Sequence, residues 1–485
     1  MLAEPEHLVR PLDRISSASC QLASSQTNLL RYVMEDRSAT LSTQSPNEAV
    51  PAVFGSLSSG VAVTFVTRLA TVVCSLGTSI IVAHGLGPEG TGALAVLNVA
   101  AALSLQLGSA GIPSATTYYV AKDQSIVGPV WINGLIFSLG VGFALALGLV
   151  ALANFRPTML NGVSPRLVAI VALSVPFQLI TLLGLNLLLA IDRIRLMNSL
   201  DALLSVLLFV NSIAVLIFWR SGLTNLVWFN AAAAVVVSLL LVGFVARVLP
   251  RGSINPDIAL LKRMLVYGLK FYVCIFAGFV IFRVDVLIVN RFSGAEAAGV
   301  YAIASQFSFL LIMLPGVIAS LLFPRVAARD DEVAAYTVDV TRHTSFVMLV
   351  VCLAAALVSF VLPLVYGARF ADSTIQFLIL LPGVFFISLE SVLVQYFTGT
   401  GLPAIIPWFW ILTVIVNIGL NLALVPRFGA RAAAVNSTLS YAIIFILVTV
   451  YFCRRTGQNP LLVFAPRVGE FRNLFARLQR RAFAK

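Results

Sequence analysis

Apolar runs follow one another along most of this chain, and they constrain its fold more than any other feature. Crossing a bilayer takes about 20 helical residues, and twelve runs between residues 61 and 452 are that long. Inside a bilayer the backbone must satisfy its own hydrogen bonds, so such runs form helices. We predict an all-α polytopic membrane protein with twelve spans near 61–83, 92–121, 128–152, 167–189, 197–219, 224–249, 264–289, 298–323, 343–365, 374–397, 404–425 and 431–452.

Composition excludes several classes of protein. The chain is 59% hydrophobic and 11% charged, whereas soluble domains are about 25% charged. Its net charge of +12 is not gathered into a basic patch interleaved with aromatics, so nucleic acid is not an expected partner and anionic lipid headgroups are. The five cysteines and three histidines are scattered, which predicts neither a metal site nor a cofactor.

One turn sequence occurs twice, which indicates an internal repeat. The segment 81–92 reads IVAHGLGPEGTG, and a shift of 207 positions places Gly87 on Gly294 and Gly92 on Gly299. Each copy joins two apolar runs. We therefore predict two repeated six-helix lobes around a central cavity, over residues 56–253 and 254–453.

The two ends of the chain differ from the membrane region. Residues 1–55 are rich in Ser, Thr, Gln and Asn, which predicts a disordered cytoplasmic extension. Residues 454–485 alternate arginines with apolar residues at helical spacing, which is typical of a basic amphipathic helix lying on an anionic leaflet.

Helix breakers occur at related places in the two halves. Gly108, Gly111 and Pro113 lie in span two, and Pro315 and Gly316 lie in span eight. Broken helices free backbone groups and permit bending where a cavity lies. We predict a break in each of these two spans.

Loop charges predict the orientation. Of the 32 Lys and Arg residues, 22 lie in the two terminal segments and in the loops on the same side of the membrane as the termini. Seven lie in the loops on the opposite side, and three are assigned to the spans. The excess of positive charge is found on the cytoplasmic side of membrane proteins. We therefore expect both termini in the cytoplasm and the protein in the cell membrane.

Among the charged residues inside the predicted spans, Asp201 lies close to the inner interface and is interpreted as topological, whereas five are candidate site residues, namely Arg68, Lys270, Arg283, Asp285 and Glu390. Such groups are costly in a bilayer and indicate a functional site by default. Arg283 and Asp285 are two residues apart and face different sides of one helix, so they cannot pair with each other. Two structural alternatives remain open: Arg68 and Lys270 reach back to the interface, or Arg283 and Asp285 form packing salt bridges with other spans.

Uncharged polar residues occur inside the spans as well. Nine of them line a cavity or form hydrogen bonds between helices, and the second interpretation is preferred. They are Asn98, Gln106, Gln178, Asn186, Asn211, Gln306, Asn417, Asn421 and Asn436. No loop is long enough to hold an enzymatic domain, and no phosphate-binding GxxxxGK[ST] sequence occurs. The sequence favours a transporter that works among its helices, not an enzyme.

Several motifs resemble those of one known family. They are IIVAHGLGPEGTGALAV, LGSAGIPSATTYYVAK, FRVDVLIVNRFSGAEAAGVYAIASQF, LLFPRVA and NLALVPRFGARAAAVNSTLSY. Together they resemble polysaccharide biosynthesis proteins of the Wzx type, which are lipid-linked oligosaccharide flippases. Wzx-type proteins belong to the MOP exporter superfamily, which also includes the multidrug and toxic compound extruders and the lipid II flippases. The chain departs from the commonest pattern in its long polar leader and in lacking two further carboxyl-terminal spans.

The resemblance implies a substrate and a role for each charged residue. A polyprenyl-pyrophosphate-linked glycan would be turned from the inner to the outer leaflet, for capsule, exopolysaccharide or O-antigen assembly. Arg68, Arg283 and, more weakly, Lys270 would contact the head group, because guanidinium groups bind phosphate with two hydrogen bonds. Asp285 or Glu390 would bind a coupling proton or cation. Membrane lipids, a polysaccharide polymerase and export proteins are the implied partners.

Two other functions remain open on the sequence. An exporter of small cationic compounds would share the fold, but acidic groups would then be expected in the cavity. A membrane scaffold for a glycan synthesis complex would use the two tails.

Overall fold

The described part of the chain is helical. A computed structural model describes residues 50–248, 255–327 and 333–464, and no strand occurs within these ranges. The helices are α1 (Val50–Ser109), α2 (Ile112–Lys122), α3 (Val127–Phe155), α4 (Pro165–Ala190), α5 (Ile194–Ser212), α6 (Leu223–Val248), α7 (Ile258–Ala327), α8 (Val333–Val358), α9 (Leu362–Tyr366), α10 (Asp372–Gly399), α11 (Ile405–Thr456) and α12 (Pro460–Phe464).

Three of the helices are bent at a glycine. Gly87 in α1 has φ 66° and ψ −174°, Gly294 in α7 has φ 86° and ψ 171°, and Gly429 in α11 has φ 66° and ψ −152°. This backbone region is essentially open to glycine alone. Gly87 and Gly294 are the residues that the 207-residue shift superimposes, so the repeat in the sequence is also a repeat in the backbone.

The bends explain how nine long helices correspond to twelve predicted spans. Nine helices in the described residues are long and apolar enough to cross a membrane. α1, α7 and α11 supply two passes each because of their bends, and the other six long helices supply one each, which gives twelve. The chain is therefore an integral membrane protein of the predicted fold class.

The predicted helix breaks occur in one half only. Between α1 and α2, Ala110 and Gly111 have φ values of 45° and 76°, so span two is interrupted as predicted. In α7, by contrast, Gly294 is the residue with non-helical dihedrals, and helical geometry continues through Pro315 and Gly316 to Ala327. The predicted break in span eight is wrong, because a proline in a long membrane helix need not open it when neighbouring helices supply packing.

The bends lie together at one end of the bundle. Gly429 is close to Ser293, the residue before Gly294. Gly299 is close to Pro88, the residue after Gly87. We call this the kink end. The opposite end, where α2 finishes and α7 begins, is called the terminal end, and by the charge prediction it faces the cytoplasm.

The apolar core differs between these two ends. At the kink end a single buried cluster includes residues of both halves, such as Leu97 of α1 and Val286 and Tyr301 of α7. Two further clusters fill the rest of the bundle: one joins the first half to the first turns of α7, and the other belongs to the second half. The halves thus share their core mainly at the kink end.

Two predicted regions lie wholly or mostly outside the described residues. The amino-terminal extension is described only from Val50, where α1 begins. The basic carboxyl-terminal segment is described to Phe464, so the predicted amphipathic helix lies outside the description.

Candidate transport site

The two halves touch through a pair of glycines at the kink end. A Cβ atom on Gly92 would lie 1.7 Å from the carbonyl oxygen of Ala295, and one on Gly299 would lie 2.1 Å from that of Pro88. The shift of 207 converts the first contact into the second, so the contact has pseudo-twofold symmetry. Glycine is needed at both positions because small residues let membrane helices approach backbone to backbone.

Hydrogen bonds between the halves reinforce the kink end. Asn290 Nδ2 donates to the carbonyl oxygen of Asn161 at 2.9 Å, and Arg291 donates to the carbonyl oxygen of Thr158 at 3.0 Å. On the other side of the contact, His84 Nε2 lies 2.8 Å from the carbonyl oxygen of Val365. The kink end is therefore closed by packing and by polar bonds.

A second contact between the halves lies toward the terminal end. A Cβ atom on Gly268 of α7 would lie 2.4 Å from the carbonyl oxygen of Gly111, at the start of α2. The rings of Tyr118 and Tyr267 stack nearby with centroids 4.4 Å apart. The Tyr272 hydroxyl donates to the carbonyl oxygen of Gln106 at 2.7 Å, one of the carbonyls next to the helix break. Gly92 and Gly111 are 19 residues apart, so the two contacts are separated by about 28 Å along span two.

Arg68 lies in the first pass of α1, 19 residues before the bend at Gly87 and therefore toward the terminal end of the bundle, and its side chain is exposed. Its guanidinium is 3.8 Å from the carboxylate of Asp201 in α5, and the two side chains are 55% and 40% exposed. Exposed ion pairs of this length are weak, at about 0 to 1 kcal/mol. Arg68 is therefore held loosely and can exchange its partner for another anion.

Arg283 lies deeper, in the first pass of α7. Its guanidinium carbon is 4.7 Å from the centroid of the Phe309 ring, and its side chain is half-buried. Among the described residues no carboxylate forms an ion pair with it. Lys270 lies on the same helix, and its side chain is outside the description.

Asp285 is buried in a polar cluster between α7 and α11. Its side chain is 2% exposed. Oδ1 accepts a hydrogen bond from Asn421 Nδ2 at 2.8 Å, and Oδ2 accepts from the hydroxyls of Tyr301, at 3.1 Å, and Ser437. Each of its partners is uncharged, so the negative charge of an ionised Asp285 would be solvated by dipoles alone.

The cluster extends along both passes of α11. Asn421 also donates to Asn417 Oδ1, and Asn417 donates to Ser440 Oγ. Asn436 donates to Asn421 Oδ1 at 3.2 Å, but its own Oδ1 is buried without a donor among the described residues. The preferred interpretation as interhelical hydrogen-bonding groups is confirmed for these three asparagines, whereas Gln178 and Asn186 form hydrogen bonds within their own helix. The free oxygen of Asn436 leaves one acceptor unsatisfied next to the Asp285 group.

Glu390 is buried apart from this cluster. Its side chain is 3% exposed, and Oε1 has no hydrogen-bond partner in the described part of the chain. It lines a cavity of about 530 Å³ between α10 and the second pass of α7. Asp285 lies nine residues before the kink at Gly294, and Glu390 lies nine residues before the terminal end of α10 at Gly399. The two carboxylates are therefore at different depths, each about 14 Å from the nearer end of its pass.

Among the described residues Arg283 and Asp285 form no ion pair with each other, Arg68 and Glu390 are on other helices, and the side chain of Lys270 is outside the description. Within the described ranges, no three His, Cys, Asp or Glu side chains are grouped so as to hold a metal ion. Sequence reasoning missed Tyr301 and Ser437 as partners of Asp285, because hydroxyl residues at these positions carry no signal until the helices are packed together.

The comparisons with known proteins agree with this architecture. The sequence model of the family described as "Polysaccharide biosynthesis protein" matches residues 57–329, more than half of the 485-residue chain. No curated protein sequence matches the chain significantly.

Several solved structures have a similar fold. An inward-facing multidrug resistance MATE family transporter of the MOP superfamily is 17% identical, with a TM-score of 0.65, over 79% of this chain and 94% of that chain. The lipid II flippase MurJ in an inward closed conformation is 12% identical, with a TM-score of 0.64, over 84% of this chain and 88% of that chain. A MOP superfamily transporter from Pyrococcus furiosus is 15% identical, with a TM-score of 0.54, over 81% of this chain and 94% of that chain. The chain thus has the fold of MATE transporters and MurJ, and it belongs to the polysaccharide biosynthesis protein family.

Proposed function

We propose that this protein is a flippase, not an enzyme, and that it moves a polyprenyl-pyrophosphate-linked oligosaccharide from the inner to the outer leaflet of the cell membrane by alternating access. The family and the fold support a transporter used in polysaccharide synthesis. The lipid-linked glycan is the cargo that best fits the charges inside the membrane. A pyrophosphate requires a cationic route, whereas a polyprenyl tail can remain in lipid.

The observation that carries this proposal is the state of Arg283. A half-buried guanidinium without a carboxylate partner in the described residues is costly in a bilayer. Its contact with the Phe309 ring offsets part of that cost. Within the described part of the chain, its guanidinium makes no hydrogen bond. A diphosphate group would satisfy its donors with bidentate bonds.

Arg68 provides an earlier point of contact in this proposal. It lies nearer the terminal end, is more than half exposed and has only a weak bond to Asp201. A head group that enters from the cytoplasmic side would meet Arg68 before Arg283. Lys270, on the same helix as Arg283, is 24 residues before the bend in α7, whereas Arg68 is 19 residues before the bend in α1. Lys270 would therefore be met at the terminal end before either arginine.

Asp285 is the residue that we propose to couple transport to an ion gradient. Its cluster joins both passes of α7 to both passes of α11, so a change of charge there alters the packing of four helical segments. A proton on Asp285, or a cation held by Asp285 and the free oxygen of Asn436, would remove the uncompensated charge.

The cargo is tested by deleting the gene and analysing lipid-linked sugars and surface polysaccharide. We expect polyprenyl-linked oligosaccharide to accumulate and surface glycan to be lost. Complementation with Arg283→Ala should restore less than about a tenth of export, because the diphosphate loses a charged bidentate partner of about 1.5 to 3 kcal/mol. Arg193→Ala, an exposed arginine at the terminal end, is the matched control and should complement fully. Normal glycan in the deletion strain would refute the proposed cargo.

Coupling is tested in liposomes that contain the purified protein. Asp285→Asn keeps the shape of the side chain and removes its ionisable group, so transport should fail or lose its dependence on an imposed ion gradient. Fully coupled transport by this variant at normal protein level would exclude Asp285 from the mechanism.

A second candidate function is the export of small cationic compounds. The observation that favours it is the buried Glu390, whose Oε1 has no hydrogen-bond partner in the described residues, since acidic groups suit cationic cargo. In the same deletion strain this function would give normal surface glycan and greater sensitivity to cationic compounds.

A further inference from the structure

Two hydrogen bonds between the halves at the kink end are related by the internal repeat. His84 Nε2 lies 2.8 Å from the carbonyl oxygen of Val365, and Arg291 Nη1 donates to the carbonyl oxygen of Thr158 at 3.0 Å. The shift of 207 positions places His84 on Arg291 and Thr158 on Val365. The same bond is therefore formed twice, once from each half, and we call the two copies the histidine bond and the arginine bond.

The two acceptor carbonyls lie in short helical segments that follow the third pass of each half. Thr158 lies in the 3₁₀ helix Pro157–Leu160, and Val365 lies in α9. Carbonyls in the last turn of a helix have no partner within that helix, so each is available to a donor from the other half. The hydroxyl of Tyr366, the residue after Val365, donates to Ser79 Oγ of α1 at 3.4 Å, so α9 packs against α1 beside this carbonyl.

The two donors differ in how they carry charge. Arginine is always protonated, whereas histidine gains or loses a proton between about pH 5 and 8. Arg291 also donates to Thr158 Oγ1 at 3.0 Å, so the arginine bond has two acceptors. A carbonyl oxygen only accepts, so the histidine bond requires a hydrogen on Nε2. A neutral imidazole carries its single hydrogen on either nitrogen, whereas an imidazolium carries one on each.

The surroundings of His84 give solvent access to its ring. His84 and Val365 are both exposed. Besides Arg291, the charged groups at this end on the elements that pack against α1 are Glu89, Arg156, Arg166, Arg220, Glu296 and Arg369. Among the described residues, no carboxylate forms an ion pair with His84. By the charge prediction the kink end faces away from the cytoplasm, so His84 exchanges protons with the medium on that side.

We propose that His84 makes the closure of the kink end depend on the pH of this medium. When His84 is protonated, both bonds have a charged donor, and the halves are held together on both sides of the glycine contact. When His84 is neutral, the histidine bond weakens, since a charged donor binds an acceptor about twice as strongly as a neutral one. Low pH thus keeps the kink end closed, and higher pH favours its opening. This role of His84 rests on the alternating access of the proposed function and does not depend on the cargo.

The test is the distance between spin labels on cysteines that replace Thr224 and Phe428, which are exposed at the kink end in the first and the second half. The ratio of open to closed protein should be about fivefold lower at about pH 5.5 than at about pH 8, as expected when a neutral hydrogen bond becomes a charged one. His84→Gln keeps a neutral donor, so this variant should lose the pH dependence. A pH dependence that persists in His84→Gln would overturn the proposal.

Exchanging the two donors provides a second measurement with the same labels. His84→Arg copies the residue at the related position, so the kink end should stay closed at both pH values. Arg291→His makes the second bond sensitive to protons as well, so the pH dependence should be steeper than in the parent protein. If both variants keep the pH dependence of the parent protein, the histidine bond does not control closure.

His343→Gln is the matched control. His343 is the other histidine in the described part of the chain, and its Nδ1 lies 2.6 Å from the carbonyl oxygen of Asp339 on its own helix. This variant should keep the pH dependence, and its loss here would overturn the assignment to His84. A label distance that neither pH nor any of these variants changes would overturn alternating access itself, and not only the role of His84.

Discussion

The two contacts between the halves are built differently, although glycines form both. At the kink end Gly92 and Gly299 are related by the repeat, the surrounding apolar core is shared by both halves, and hydrogen bonds cross the contact. At the terminal end Gly111 meets Gly268, which is not its counterpart in the repeat, and aromatic rings flank the pair. The symmetric contact is the stronger closure, and the asymmetric one is the contact that should open more easily.

The difference between the two contacts bears on which end of the bundle opens during transport. An alternating-access protein must break the contacts at one end while it keeps those at the other. The shared core makes opening at the kink end cost more buried apolar area than opening at the terminal end. We therefore expect the resting protein to open toward the terminal end, and substitutions at the two ends to have opposite effects on this preference.

The largest effect is expected from Gly92→Val. Its Cβ would lie 1.7 Å from the carbonyl oxygen of Ala295 and 2.8 Å from the nitrogen of Gly299, and neither backbone atom can move without shifting α7. Overpacking of this kind costs about 1 to 3 kcal/mol or more. Transport should fall by at least about tenfold, and the kink end should become accessible to a water-soluble thiol reagent at an introduced cysteine.

The control for Gly92→Val is Gly148→Val. Gly148 lies on an exposed face of α3, and no atom lies within 4 Å of a Cβ built on it. Normal transport by both variants would show that the symmetric contact is not a required closure.

A smaller effect of opposite sign is expected from Gly268→Ala. Gly268 is helical, so alanine introduces no backbone strain there, but its Cβ would lie 2.4 Å from the carbonyl oxygen of Gly111. The terminal-end contact should loosen while the kink end stays closed. Spin labels on cysteines at the exposed positions of Gln124 and Lys262 should report a longer distance than in the parent protein. An unchanged distance would mean that this glycine pair does not control the opening.

The smallest effect is expected from Tyr272→Phe. This substitution removes the hydrogen bond from the Tyr272 hydroxyl to the carbonyl oxygen of Gln106 and keeps the ring. That carbonyl retains a bond from the Ser109 hydroxyl at 2.9 Å, so the loss should be about 1 kcal/mol or less. The same label distance should lengthen less than in Gly268→Ala. A larger change than in Gly268→Ala would reverse the order of importance of these two contacts.

Much of the fold could be predicted because it depends on local properties. Long apolar runs predict membrane helices, and a glycine repeated at a fixed shift predicts an equivalent bend, since Gly87 and Gly294 adopt a conformation that other residues avoid. The span-eight break was wrong for a related reason. Pro315 and Gly316 alter local propensity, but the packing of a helix against its neighbours decides whether it bends.

The site was less predictable, because it depends on which faces of distant helices meet. The sequence by itself determined the membrane-spanning segments, the repeat, the equivalent turns at Gly87 and Gly294, and the separation of Arg283 from Asp285 around one helix. The tertiary structure alone decided that Gly92 meets Ala295, that Ser437 and Tyr301 bind Asp285, and that Glu390 lines a cavity without a hydrogen-bond donor for Oε1 in the described residues. The physical reason is that hydrophobicity and backbone preference act within a segment, whereas the partner of a buried polar group is set by how whole helices rotate and pack against one another.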